Sequence, residues 1–145
     1  MTLLRTHVEF QYDIFFQEQK ELKMPLAKLL LIQYLCRELN NYGIQVLNYL
    51  SVEWGYIIHL DNEYFDNIWI GCTHLDPVRN NFLVFINSKT SFIKKFFIKN
   101  DVSYKVIQLS NILDKILTNH PLIFYPHWWN LIDFDWNRKF IKSLR

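Results

Sequence analysis

The pattern of apolar positions is clearest between residues 53 and 87, where three short segments follow one another. They are WGYIIHL (54–60), NIWIGCT (67–73) and FLVFI (82–86), and all are rich in β-branched or aromatic side chains. Asp, Asn, Pro or Gly residues bound each segment, as is typical of strands that end in turns. Because the connections are short, neighbouring strands can pair antiparallel. We therefore predict a central three-stranded meander.

Alternating apolar and polar positions predict two strands before this meander. Residues 7–16 (HVEFQYDIFF) place their aliphatic and aromatic side chains at every second position, which is the signal of a half-buried strand. Residues 44–50 (IQVLNYL) form the second candidate. After the meander, residues 92–98 (FIKKFFI) have a mixed periodicity that slightly favours a strand over a short helix.

Two other segments have helical spacing. Pro25 opens the first helix, where its fixed φ and missing N–H are tolerated, and Gly43 or a neighbouring Asn ends it. Residues 101–107 are interpreted as a connection. The second helix is predicted over residues 109–119, with Ser110 as its N-cap, because apolar residues recur there every three or four positions.

Residues 122–145 are strongly aromatic, and their periodicity fits two structures. One face of a helix would carry Trp129, Ile132, Trp136 and Phe140. Ile132, Phe134 and Trp136 would equally share one face of a strand. The sequence leaves this choice open.

The order of elements is strand, helix, several strands, helix and tail, which predicts an α+β fold. We expect a single domain of residues 1–145, with residues 130–145 as a C-terminal extension. Its sheet is mostly antiparallel, with about five to six strands around the central meander, and two main helices pack on one face.

Composition and charge narrow the classes of function. Sixteen basic and fourteen acidic residues leave a net charge of +2, which is too balanced to indicate nucleic-acid binding. Aromatic residues make up 17% of the chain, enough to fill a core and to supply surface rings of the kind that interfaces use. The start of the chain lacks a hydrophobic signal segment, and the apolar run at residues 29–32 is too short for a membrane span. We therefore expect a cytoplasmic protein without a membrane partner.

Cys72, His74 and Asp76 form the pattern that most suggests catalysis, because alternation on a strand would place a thiol, an imidazole and a carboxylate on one face. A nucleophile and its base usually come from separate elements, however. The Asp76-Pro77 pair also indicates a turn. We interpret Cys72 as a packing residue and predict no catalytic residue and no enzyme. A small enzyme that uses Cys72 and His74 is kept as an alternative.

A metal site could draw on His59, His74, Asp61 and Asp76, because adjacent antiparallel strands could bring these residues together. No pair among them has a recognised ligand spacing. We therefore predict no metal site and no cofactor.

A second alternative is a nucleic-acid-binding accessory domain, because aromatic rings between basic side chains can stack on bases. The basic and aromatic residues concerned are Lys94, Lys95, Lys99, Phe92, Phe96 and Phe97. An edge strand whose lysines face water explains the same pattern and is favoured.

Two segments combine aromatic side chains with carboxylates, which can anchor and steer a protein partner. In the first, the connection between the first two meander strands, the candidates are Asp61, Glu63, Tyr64, Phe65 and Asp66. In the second, the C-terminal segment, they are Trp128, Asp133 and Asp135. We predict these as partner-binding residues. The alternative in both segments is that the aromatic side chains fold onto the core.

The motifs Glu53-Trp54-Gly55-Tyr56 and Ile68-Trp69-Ile70-Gly71-Cys72, followed by FLVFI and an amphipathic helix, resemble small bacterial immunity proteins of contact-dependent inhibition and polymorphic toxin systems. The resemblance covers residues 44–126 and carries over no catalytic residue. Immunity proteins are often acidic, whereas this chain is slightly basic. The resemblance implies a cytoplasmic protein, favoured as a monomer, that neutralises a cognate toxin domain by binding it.

Overall fold

Segments with alternating apolar and polar positions form strands, although the first strand ends at Tyr12 and residues 13–16, predicted as its continuation, form a short 3-10 helix. The computed structural model describes residues 4–16, 23–61, 63–65, 67–75, 80–88 and 101–130. Within them there are six strands: β1 (Arg5–Tyr12), β2 (Val46–Val52), β3 (Gly55–Leu60), β4 (Ile68–His74), β5 (Asn81–Ser88) and β6 (Ile123–Asn130). The same residues contain two α-helices, α1 (Met24–Asn41) and α2 (Asp101–Thr118).

The six strands form one antiparallel sheet in the order β2-β3-β4-β5-β1-β6. The predicted meander is confirmed, because β3, β4 and β5 are consecutive neighbours. The first strand of the chain is inserted between β5 and β6. The resulting α+β fold, a small single domain, agrees with the class predicted from the sequence.

One face of the sheet carries the core. Alternate side chains of the central strands point to this face, and both helices turn their apolar stripes onto it. From the helices the buried residues are Ala27, Leu31, Ile32, Leu35, Leu39, Val106, Leu109, Leu113, Ile116 and Leu117. The Tyr34 hydroxyl of α1 donates a hydrogen bond to the Ile116 carbonyl of α2 over 2.8 Å, which joins the two helices directly. We call the opposite face of the sheet the far face.

Helix α1 begins and ends as its sequence predicts. Pro25 lies in the first turn, and Gly43 follows the helix with a φ of +84°. A left-handed residue just after the last turn is the usual way to end a helix, and Gly adopts it without a steric penalty.

Helix α2 corrects the sequence prediction, because it begins at Asp101 and includes the predicted connection 101–107. Val102 and Val106 lie one turn apart and continue the apolar stripe that packs against the core. Ser110 is therefore a buried residue inside the helix, where its hydroxyl donates to the Ile107 carbonyl over 2.9 Å, and it is not an N-cap. Burial of the stripe outweighs the weak helix propensity of β-branched residues.

The structure also decides part of the open question at the C-terminus, because Ile123–Asn130 is a strand paired with β1. The predicted extension beyond residue 130 lies outside the described residues, as do the predicted strand at 92–98 and its lysines.

Candidate functional site

The connection between β3 and β4 folds back on itself, and this buries one of its two aromatic side chains. The Phe65 N–H donates to the Asp61 carbonyl over 3.1 Å, and the Ile68 N–H donates to the Phe65 carbonyl over 3.0 Å. Phe65 is only 5% exposed and belongs to the core. Its side chain is therefore not accessible to a partner in this conformation, and for Phe65 the core-packing interpretation is the better one.

Tyr64 has the opposite environment, because it is held in position on the surface. Its hydroxyl donates to Gln108 Oε1 over 2.8 Å, and Lys105 Nζ lies 4.7 Å from the centre of its ring. The ring also meets Phe65 edge to face at 4.7 Å. Even so, 42% of Tyr64 is exposed. The connection thus presents an aromatic side chain whose orientation is fixed by helix α2.

The carboxylates of the connection have two different roles. Asp61 Oδ1 accepts a hydrogen bond from the Glu63 N–H over 3.2 Å, which is a local turn interaction typical of Asp. Glu63 itself is exposed. Asp66 lies outside the described residues. One predicted acid therefore orders the turn, and a second extends into solvent beside Tyr64.

Helix α2 adds a residue that the sequence prediction missed. Tyr104 is 66% exposed, and it lies one helical turn before Gln108, the hydrogen-bond partner of Tyr64. It was missed because residues 101–107 were interpreted as a connection; the i, i+4 spacing of Val102 and Val106 was the available signal. We name the group Asp61, Glu63, Tyr64, Tyr104, Lys105 and Gln108 the tyrosine surface.

The second predicted segment does not join the tyrosine surface. Trp128 is half-buried on β6, and its indole N–H donates to Asp114 Oδ1 over 2.8 Å. The Arg5 guanidinium carbon lies 5.8 Å from the centre of its ring. These contacts connect β6 to α2 and β1, at the end of the sheet away from β2 and β3. Asp133 and Asp135 lie outside the described residues.

The catalytic pattern in β4 does not have the properties of a nucleophilic site. Cys72 is buried, and burial raises the pKa of its thiol to about 12, so the reactive thiolate is strongly disfavoured. His74 packs its ring edge to face against Phe82, with 5.2 Å between the ring centres. Asp76 lies outside the described residues. The thiol therefore has the environment of a packing residue.

His59 and His74, the two histidines of the candidate metal site, lie on opposite faces of the sheet. His59 pairs with Trp69 in the register, whereas Cys72 and His74 occupy the alternate positions of β4. The Nδ1 atom of His59 is 2.9 Å from Asn48 Oδ1. No group of three or more His, Cys, Asp or Glu residues that could hold a metal ion was found in the part of the chain that the structure describes.

A row of directly paired positions crosses the far face of the sheet, and its half towards β6 is aromatic. From one edge to the other, directly paired positions are Leu50, Ile57, Gly71, Phe85, His7 and Trp129. The Phe85 ring covers Gly71 and stacks on His7, with 5.4 Å between ring centres and 11° between their planes. Burial lowers the pKa of His7 from 6.5 to about 4, so its imidazole is neutral near pH 7.

A small cleft lies at the end of β1 and β5 and is lined in part by Thr6, His7, Asn87 and Ser88. Its volume is about 120 Å³, well below the roughly 300–1,000 Å³ of sites that enclose drug-sized ligands. The tyrosine surface is consequently the stronger candidate for function.

Comparisons of the chain with protein-family models, with curated proteins and with solved structures found no match. Among the described helices, none is long and apolar enough to cross a membrane.

Proposed function

We propose that this protein is a cytoplasmic immunity protein that binds a cognate bacterial toxin domain through the tyrosine surface. It neutralises the toxin by covering its active site or a neighbouring surface, and this requires no chemistry from the immunity protein itself. The observation that carries the proposal is the state of Tyr64, which is fixed by Gln108 and Lys105 while 42% of it remains exposed. The resemblance of residues 44–126 to immunity proteins supports the class of partner.

A fixed surface tyrosine is well suited to binding. Association has to overcome the loss of side-chain freedom, at about 0.5–1.5 kcal/mol for each flexible side chain that becomes ordered. Tyr64 is already held by a hydrogen bond and a cation–π contact, so much of that loss is avoided. Tyr and Trp are also enriched among the few residues that dominate interface energies.

The charges around Tyr64 favour a partner with a basic patch. Glu63 is exposed beside the ring, and Asp61 contributes a second carboxylate from the start of the same turn. The ammonium group of Lys105 is directed at the Tyr64 ring. Carboxylates at an interface accelerate the encounter with a basic surface and disfavour acidic partners.

The proposal is tested by co-expressing the chain with a toxin domain encoded beside its gene. We expect rescue of growth and a complex that co-purifies. Tyr64→Ala combined with Tyr104→Ala should weaken binding by about 30-fold, which corresponds to a loss of about 2 kcal/mol at an interface hot spot. The matched control is Tyr125→Ala, which removes a tyrosine of β6 that is 77% exposed and lies outside the tyrosine surface.

The possible outcomes test the tyrosine surface and the immunity role separately. Unchanged affinity of the folded Tyr64/Tyr104 double variant would exclude the tyrosine surface and leave the immunity role standing. Absence of both rescue and complex formation would contradict the immunity role itself. Circular dichroism of each variant confirms that it is folded.

A further inference from the structure

The two outer strands of the described sheet differ in how well they resist pairing with another strand. On β6, Pro126 cannot donate a hydrogen bond, Tyr125 has a φ of +56°, and the register with β1 is interrupted. On β2, the sequence VLNYLSV contains no proline and no charged residue; its register with β3 shifts once, between Val46 and Asn48, and is regular from Asn48 to Val52. Natural edge strands usually carry such protective features. Strand β6 is thus protected, whereas β2 lacks such features from Asn48 to Val52.

The exposed side chains of β2 are largely apolar. Five consecutive residues of the strand are exposed, and among them Leu47, Tyr49 and Leu50 are 48%, 37% and 49% exposed. A run of large apolar side chains along an unprotected strand is a feature of surfaces that bind another strand.

The backbone of β2 has hydrogen-bonding groups available on its open side. Val52 and Gly55 pair across a two-residue connection, so they form the closing hydrogen-bonded pair of the hairpin. Such pairs alternate along antiparallel strands with pairs whose N–H and C=O groups point outward. Tyr49 and Ser51 therefore direct their backbone groups away from β3. At the start of the strand, the Val46 N–H is already satisfied by Asn40 Oδ1 at 3.1 Å.

We propose that β2 is the site at which two copies of this chain associate, by antiparallel pairing of β2 with β2 around a two-fold axis at Tyr49. This arrangement places Tyr49 opposite itself and Asn48 opposite Leu50 of the second copy. It joins the two sheets into one continuous sheet. The proposal replaces the monomer expected from the sequence, and it does not depend on the toxin-binding role.

The charges along the chain favour a second copy as the occupant. The pairing brings together only uncharged side chains within Val46–Val52. The nearest charged residue, Glu53, falls opposite Gln45 of the second copy, so no like charges meet. A symmetric contact of this kind satisfies the same outward groups on both copies at once.

The size of the contact indicates a dimer in exchange with its monomer. A seven-residue strand is about 24 Å long, and its edge by itself covers less than the roughly 800 Å² per partner of a standard stable interface. We therefore expect dimerisation that depends on protein concentration.

The experiment is sedimentation velocity of the full chain over a series of concentrations. We expect the wild type to shift from monomer to dimer. Tyr49→Lys and Tyr49→Glu should each weaken dimerisation by about tenfold or more, because each variant places like charges directly opposite one another. An equimolar mixture of the two variants should recover the dimer. The matched control is Tyr125→Lys at the protected edge, which should dimerise like the wild type.

A second variant tests the backbone bonds without adding charge. Ser51→Pro removes one outward N–H, so the folded variant should also dimerise more weakly. A wild type that stays monomeric at all concentrations would overturn the proposal. So would dimerisation of Tyr49→Lys at wild-type strength, or a mixture of the Lys and Glu variants that remains monomeric.

Discussion

Replacing Gly71 by Ala probes the packing of the far face. An added Cβ would lie 2.2 Å from Phe85 Cζ and 2.5 Å from Phe85 Cε1, which is closer than carbon atoms can approach. The ring has little freedom to retreat, because it stacks on His7 at 5.4 Å and contacts the rings of Trp54 and Trp69 at 5.6 and 5.7 Å. The substitution must therefore displace several aromatic side chains together.

The expected change in the free energy of unfolding combines two opposing effects. Overpacking of a filled site destabilises a protein by about 1–3 kcal/mol. Replacing Gly by Ala within a strand recovers roughly 0.5–1 kcal/mol, because the unfolded chain loses conformational freedom. We therefore expect Gly71→Ala to lower the free energy of unfolding by about 1–2 kcal/mol. For a chain of this length that corresponds to a fall in Tm of roughly 3–7 °C.

The assay is urea unfolding followed by tryptophan fluorescence, since Trp54 and Trp69 border the Phe85 ring. A double-mutant cycle supplies the control, because Phe85→Ala removes the clashing ring. In that background Gly71→Ala should be neutral or stabilising, and the difference between the two backgrounds is the coupling energy. An equal loss of stability in both backgrounds, or a more stable Gly71→Ala single variant, would refute the reasoning.

Three further predictions concern groups that are wholly or partly buried. Burial raises the pKa of Cys36 to about 11 and that of Cys72 to about 12, so both thiols should react slowly with Ellman's reagent at pH 8 and rapidly after unfolding; rapid reaction of the folded protein would contradict this. Because burial lowers the pKa of His7, the unfolded chain binds a proton at this residue at a higher pH than the folded chain does. The contribution of neutral His7 to the free energy of unfolding is complete above pH 6.5. It is lost as the pH falls towards 4, by up to roughly 3 kcal/mol. His7→Gln should flatten this part of the pH profile of the free energy of unfolding. Tyr34→Phe removes the hydrogen bond to Ile116 and should lower the free energy of unfolding by about 0.5–1.5 kcal/mol in the same urea assay, whereas an unchanged value would show that the bond contributes nothing net.

The prediction from sequence succeeded where a signal was local. The meander segments carried their strand pattern and their turn residues within a few positions, and Pro25 and Gly43 marked the ends of α1. The prediction of where α2 begins failed because its signal is not local. Val102 and Val106 have weak helix propensity, and their burial against the core is a property of the fold. The missed helical turn also concealed Tyr104.

The candidate site also combines features that the sequence signals locally with features that depend on the fold. The sequence identified the connection after β3 and its aromatic and acidic residues, but it could not separate Tyr64 from Phe65, which are adjacent and chemically alike. Their roles diverge because Phe65 enters the core, whereas Tyr64 is held against α2. That contact joins residues 44 positions apart along the chain.

By itself, the sequence of this protein determined the strands of the meander, strand β2 and the extent of helix α1, because hydrophobic periodicity and turn chemistry act over a few residues. Only the tertiary structure decided that β1 lies between β5 and β6, that Cys72 is buried, that His59 and His74 lie on opposite faces, and that β2 forms an edge of the described sheet. These features depend on which distant segments pair. Pairing is set by the burial of the whole apolar surface at once, and no single segment contains that information.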